Sequence, residues 1–244
     1  MPERCYTSRR LRTVYWLCAA ILALTLKQFY SAASAAQLQW LLYPLVLLLE
    51  AFSDLDFELD ANYLWQDKLH RISIVKSCAG MNFLIMSLLA YFWQWRNKPF
   101  AMRLVLRVLL SAWLTALLAN SARILLCIYC QEPLAFHTAI SAADSHRLIG
   151  IAGYFLCLWA QLSAFRCRNF RLVATTALPL YLTIAVLVPL VRAWVLGLAT
   201  PDIHHLLWVT GIPIVLTLIS RISITWTLEK VVRLVSAEKG QRLA

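Results

Sequence analysis

The chain has 244 residues and a net charge of +11, with 61% hydrophobic and only 14% charged residues. A mean hydropathy of +0.67 is too apolar for a water-soluble domain, and six Gly, eight Pro and no repeats or polar tracts exclude collagen-like and disordered classes. The Lys and Arg fall in short clusters between apolar runs and form no continuous groove with interleaved aromatics, which excludes nucleic acid and points to α-helical membrane spans.

Apolar runs long enough to cross a bilayer, about 17 to 25 residues, lie near 13–30, 72–95, 104–130, 146–165, 172–196 and 203–226, with a shorter one at 38–52. The expected fold is all-α, a polytopic membrane bundle of six to seven spans, forming one domain over 1–244. The opening of the chain, with its small-residue stretch at 31–36, also resembles a signal peptide and its cleavage site. Lys27, Gln28, Phe29 and Tyr30 interrupt the approach to that site and favour retention.

Charge sets the expected orientation. Arg4, Arg9, Arg10 and Arg12; Arg96, Lys98, Arg103 and Arg107; Arg166, Arg168 and Arg171; and Lys230, Arg233, Lys239 and Arg242 mark four basic regions that should face the cytoplasm. Glu50, Asp54, Asp56, Glu58, Asp60 and Asp67, then Glu132 and Asp144, then Asp202, fall in the intervening external loops. With both termini inside, 31–71 is wholly external and 38–52 is a re-entrant or interfacial segment bent at Pro44. The competing arrangement has 38–52 cross and the N-terminus outside. Lys27 and Arg192, near span ends, are read as snorkelling outward.

Seven cysteines (Cys5, Cys18, Cys78, Cys127, Cys130, Cys157 and Cys167) are odd in number and scattered over apolar segments, unlike a secreted disulfide framework. Three polar residues stand out by depth. Cys78 lies about six residues inside the external end of the 72–95 run, roughly 9 Å deep. Arg123 lies about seven residues before the external end of the next run, at a similar depth, and His146 begins the one after it. Each alone has a plainer role: a packed thiol, a snorkelling guanidinium, an interfacial imidazole. Together they supply a nucleophile, a cation that stabilises thiolate and oxyanion, and a proton carrier.

The blocks SCAGMNF (77–83), NSAR (120–123) and SHRLIG (145–150), in this order on successive runs, resemble the exosortase and archaeosortase family of membrane transpeptidases. The Cys-Ala-Gly-x-Asn-Phe context looks most like the exosortase K type. The resemblance implies a catalytic set of Cys78, Arg123 and His146, with Asn120, Gly80 and Asn82 supporting, all within a motif region of 72–165; the helices at 172–226 carry no motif and are accessory. It further implies a bacterial inner-membrane cysteine protease with its site near the external face. Its partners would be exported proteins bearing a C-terminal sorting signal of a short motif, a membrane helix and a basic cluster, and a lipid or envelope acceptor. Cys78 would form a thioester, and His146 would protonate the leaving amine and then deprotonate the acceptor.

No metal, nucleotide or flavin is implied, since no Walker or dinucleotide glycine pattern is present. His204 and His205 beside Asp202 diverge by about 100° on a helix, which disfavours a shared ion, and His70 and His137 have no obvious partner by spacing. Two rival functions stay open. Cys127-Ile128-Tyr129-Cys130 is a C-x-x-C pair that a membrane thiol oxidoreductase could use, and a non-enzymatic transporter or assembly protein would need none of these side chains.

Overall fold

The computed structural model describes residues 9–96, 98, 101–138, 140–166, 170–197 and 202–221. Cys5, Cys167, Arg4, Arg168, Lys230, Arg233, Lys239, Arg242 and the 222–226 end of the last apolar run lie outside the described residues, as do the side chains of Arg9, Arg10, Arg12, Arg166 and Arg171.

The chain opens with α1 (Arg9–Ala32), a short 3₁₀ turn and α2 (Gln39–Ala51). A three-stranded antiparallel sheet follows, β1 (Glu58–Leu59), β2 (Trp65–Asp67) and β3 (Ile72–Ile74), in which Trp65 pairs with Ile74 and Asp67 with Ile72. A 3₁₀ turn, Lys76–Ala79, leads into α3 (Met81–Trp95). Then come α4 (Met102–Thr138), α5 (Ala142–Arg166), α6 (Phe170–Leu182) joined by a π-helical turn to α7 (Val188–Leu196), and α8 (Ile203–Arg221).

Four of these segments are long and apolar enough to cross a membrane: Met102–Thr138, Ala142–Ala164, Val173–Leu196 and Ile203–Arg221. Their outer faces carry exposed Leu106, Leu110, Leu118, Leu126, Leu207 and Leu218, as expected where lipid replaces water as the solvent. The protein is a helical membrane protein. Pro133 sits within α4 without ending it, so that helix runs on to Thr138, eight residues past the expected end at 130.

One expectation needs correction. The run 72–95 is not one helix: β3 and the 3₁₀ turn occupy its first part, and α3, 15 residues long, extends only about 22 Å. The fold is a helical membrane bundle, as expected, with this small three-stranded sheet added to it. The reason is local. Ile72-Ser73-Ile74 alternates apolar and polar, and Ile74 is buried while Ser73 is exposed, the signature of a strand with one face on a core. Gly80 then adopts φ +68°, a left-handed conformation that stops the turn and starts α3.

Helix α3 is the hub. It packs against α1, α4, α5 and α6, and Phe83, Leu84, Ile85, Met86, Leu88 and Phe92 are buried. Polar side chains stitch it to α5: Gln161 Nε2 donates to the Ser87 carbonyl and Gln94 Nε2 to the Gln161 carbonyl, cross-helix bonds of the kind that hold membrane helices together. Helix α2 lays Leu41, Leu42, Leu45 and Leu49 into the core and packs on α4.

The sheet is anchored to α2. Trp65 Nε1 donates to Gln39 Oε1 (2.9 Å), Gln39 Nε2 donates to the Tyr63 carbonyl (3.0 Å), and the Phe57 amide donates to Glu50 Oε1 (3.0 Å).

Candidate active site

The 3₁₀ turn that carries Cys78 is clamped from two sides. Lys76 Nζ donates to the carbonyls of Ser31 and Ala33 at the end of α1, satisfying acceptors that a helix C-terminus leaves open. Tyr30 returns a hydrogen bond from its hydroxyl to the Lys76 carbonyl (3.2 Å), and its ring lies under the Lys76 ammonium. Cys78 therefore sits on a tethered 3₁₀ turn three residues ahead of α3 and not inside an α-helix, which corrects its expected depth of six helical residues.

From the other side comes Asn120, 1% exposed. Its Nδ2 donates to the Cys78 carbonyl, while its Oδ1 accepts from the Tyr154 hydroxyl (2.7 Å) and from Arg123 Nε (3.3 Å). One amide thus ties the thiol's own backbone to the guanidinium and to α5. The Arg123 guanidinium also lies over the Tyr154 ring, 5.3 Å from its centroid, and that ring stacks on Phe83 at 4.9 Å. Arg123 has partners on both its edge and its face, so it does not simply snorkel.

Gly80 explains how Asn120 can approach. A Cβ built on it would lie 2.8 Å from Asn120 Cγ and 3.0 Å from Nδ2. Gly80→Ala is expected to cost about 2 kcal/mol or more through the left-handed backbone and this collision, read as a fall in Tm of the detergent-solubilised protein. Gly150→Ala is its control. A Cβ there would meet Arg123 Cδ at 3.8 Å, an ordinary contact.

Cys78, Arg123 and His146 all line a single cavity of about 710 Å³. Its helical wall is one stripe of α4, Arg123, Ile124, Cys127, Ile128 and Gln131, at the spacing of a single helix face. His146 stands exposed at the start of α5 with Nδ1 3.3 Å from Gln131 Oε1. His70 to Ile74, from the β2–β3 turn and β3, line the cavity as well.

Of the expected supporting residues, Asn120 and Gly80 stand at the site. Asn82 does not: it is exposed and accepts from Lys27 Nζ at 2.6 Å. Lys27 is thereby paired, and Arg192 Nη1 donates to Ser31 Oγ at 2.8 Å, so both cations reading as outward snorkels have hydrogen-bond partners on other helices.

His70, for which spacing showed no partner, has one. Its Nδ1 lies 2.9 Å from Oδ2 of Asp67, and its backbone amide donates to Asp67 Oδ1 at 2.8 Å. The local signal was the D-x-x-H spacing across the β2–β3 turn. The His70 amide and ring, followed by the Asp56 amide, hold the Asp67 carboxyl down to about 2 from its ordinary 3.8, against burial, which raises it.

A depressed carboxyl stabilises the fold above its unfolded pKa and loses that contribution as pH falls through the folded value. Protection of the Asp56 and His70 amides in hydrogen exchange is therefore expected to hold at pH 4 and to fall as pH drops through about 2; in Asp67→Asn it is expected to be weaker at neutral pH.

Cys127 and Cys130 are free thiols on the unbroken α4, the first buried and the second exposed. His204 takes part in an Arg147 and Asp144 cluster (Arg147 Nη1 to His204 Nδ1, 3.3 Å), and the His137 ring meets that of Phe136. Among the described residues no three His, Cys, Asp or Glu are grouped to hold a metal.

Compared with known proteins, the chain matches no family model, no curated protein and no solved structure. Its chemistry is read from its own side chains.

Proposed function

We propose that this protein is an integral-membrane cysteine peptidase and transpeptidase of exosortase type, which cleaves C-terminal sorting signals of exported proteins and passes the new carboxyl end to a lipid or envelope acceptor. The observation that carries this reading is the convergence of Cys78, Arg123 and His146 on one polar cavity, although 45 and then 23 residues separate them in the sequence.

In the bacterial inner membrane the cavity would face outward. The acidic residues at 54–67, Asp144 and Asp202 share its end of the bundle, while Arg96, Lys98, Arg103 and Arg107 stand at the other, as cytoplasmic charges should. α1, 24 residues long, joins the four long helices as a crossing, while α2 and α3, 13 and 15 residues, reach only about 20 and 22 Å, short of a roughly 30 Å hydrocarbon core, and enter part-way.

The first half-reaction follows from the side chains. The Cys78 thiolate forms a bond to the substrate carbonyl carbon, and the carbonyl electron pair moves to oxygen, where the Arg123 guanidinium stabilises it. Collapse breaks the C–N bond, a protonated His146 gives its proton to the departing amine, and a thioester remains on Cys78. The acceptor nucleophile then displaces Cys78 as thiolate, its proton passing to an imidazole of the cavity.

Arg123→Lys is expected to lower tail cleavage by about 10²- to 10³-fold, because an ammonium lacks the planar edge that bonds Asn120 while its face lies on Tyr154; cleavage kinetics in isolated membranes check it.

Mass spectrometry of the C-termini of membrane-anchored proteins tests the whole reading. Uncut tails are expected with Cys78→Ala and normal processing with the Cys127→Ser/Cys130→Ser double variant. A requirement for Cys127 and Cys130 alone would favour a thiol oxidoreductase, and tails unchanged in every strain a transporter or assembly protein.

A further inference from the structure

The cavity holds a second imidazole. We propose that His70, oriented by Asp67 on the β2–β3 turn, is the general base that deprotonates the acceptor nucleophile when the Cys78 thioester is resolved. This inference rests on the peptidase reading above and adds to it the group that governs the second half-reaction.

Three observations carry it. His70 lines the same cavity as Cys78, Arg123 and His146. Its Nδ1 faces the carboxylate of Asp67, whose side chain is 1% exposed against 42% for the His70 side chain. A carboxylate can only accept, so Nδ1 carries a proton, and in the neutral ring the lone pair is on Nε2. His146 meets only an uncharged acceptor, Gln131 Oε1, at a longer 3.3 Å against 2.9 Å for His70 and the Asp67 carboxylate.

The turn is also built to hold its shape. Asp67 takes the His70 amide and ring together with the Asp56 amide, and the next residue, Arg71, is kept at φ +57°, a conformation that non-glycine residues hold only where the surroundings over-determine it.

The step balances. The acceptor's N–H or O–H proton moves to His70 Nε2, its lone pair forms a bond to the thioester carbonyl carbon, the C–S bond breaks, and its electron pair leaves on Cys78 as thiolate. The imidazolium later returns its proton to solvent.

The test uses the full chain in isolated membranes of the native cells, with endogenous substrates. Hydroxylamine-labile acyl adducts on the Cys78 peptide are quantified by mass spectrometry in wild type, Cys78→Ala, His70→Gln and His70→Ala. Glutamine keeps an amide donor for Asp67 but cannot carry the proton, so the adduct is expected to rise at least about tenfold as its resolution slows by about 10²-fold or more. Added imidazole is expected to release the adduct of His70→Ala, which a purely structural defect would not allow.

Adduct at the wild-type level in both His70 variants overturns the assignment while leaving Cys78 as nucleophile. An adduct that rises but does not respond to imidazole overturns the base role. Absence of any labile adduct on Cys78 in every strain overturns the peptidase reading and this inference with it.

Discussion

Replacing Cys78 by serine is expected to abolish tail cleavage almost as fully as replacement by alanine, a loss of at least about 10⁴-fold. The substitution exchanges sulfur for oxygen and leaves the turn intact, since its clamps act on backbone and neighbours: Lys76 on the α1 carbonyls, Asn120 on the carbonyl of residue 78. What changes is the reacting atom: sulfur is a strong nucleophile toward a carbonyl carbon, whereas a hydroxyl needs a strong base beside it. Among the described residues His146 is paired with an uncharged glutamine amide and with no carboxylate. Cleavage kinetics paired with a thermal unfolding curve check the expectation: the Tm should stay within a degree or two while activity disappears. Substantial activity in Cys78→Ser would mean that the nucleophile lies elsewhere.

Asn120 should affect both fold and activity. Asn120→Ala removes three hydrogen bonds and strands the Tyr154 hydroxyl and the Arg123 Nε in a poorly solvated place. At about 1 kcal/mol for each bond, a loss of about 3 kcal/mol is expected, seen as a clear drop in Tm.

Asn120→Asp separates stability from positioning. Both acceptor bonds survive, but the donor to the Cys78 carbonyl becomes a second carboxylate oxygen that repels it. Stability should fall less than in the alanine variant, while cleavage drops by about 10²-fold, the usual cost of misplacing a reacting group by about an ångström. Measuring both quantities on both variants distinguishes a site that is merely less stable from one that is mis-set.

The membrane character and the long helices were legible because lipid-facing surfaces demand continuous apolar runs, and nothing in α5 or α8 interrupts them. Cys78, Arg123 and His146 were legible as a set because a nucleophile, a cation and an imidazole lay near the same end of successive runs. What escaped was structure whose signal is short. Ile72 and Ile74 bury into the same core as α3, so hydropathy alone fused a strand, a turn and a helix into one run; only the exposed Ser73 between them and the left-handed Gly80 record the break. The end of α4 was misplaced because Gln131, Glu132 and Pro133 read as a terminus, yet the helix passes through them. His70 was overlooked because its partner lies across a hairpin turn, where spacing carries information only once the strands are known. Asn82 matched a motif by sequence and turned out to bind Lys27.

Arg123, Ile124, Cys127, Ile128 and Gln131 share one face of an unbroken 37-residue helix. At 100° per residue, that wall is an angular address as much as a set of positions. Inserting or deleting one residue between Asn120 and Gln131 would turn every later side chain a quarter-circle or more from its target, while the helix itself would stay as apolar and as long as before.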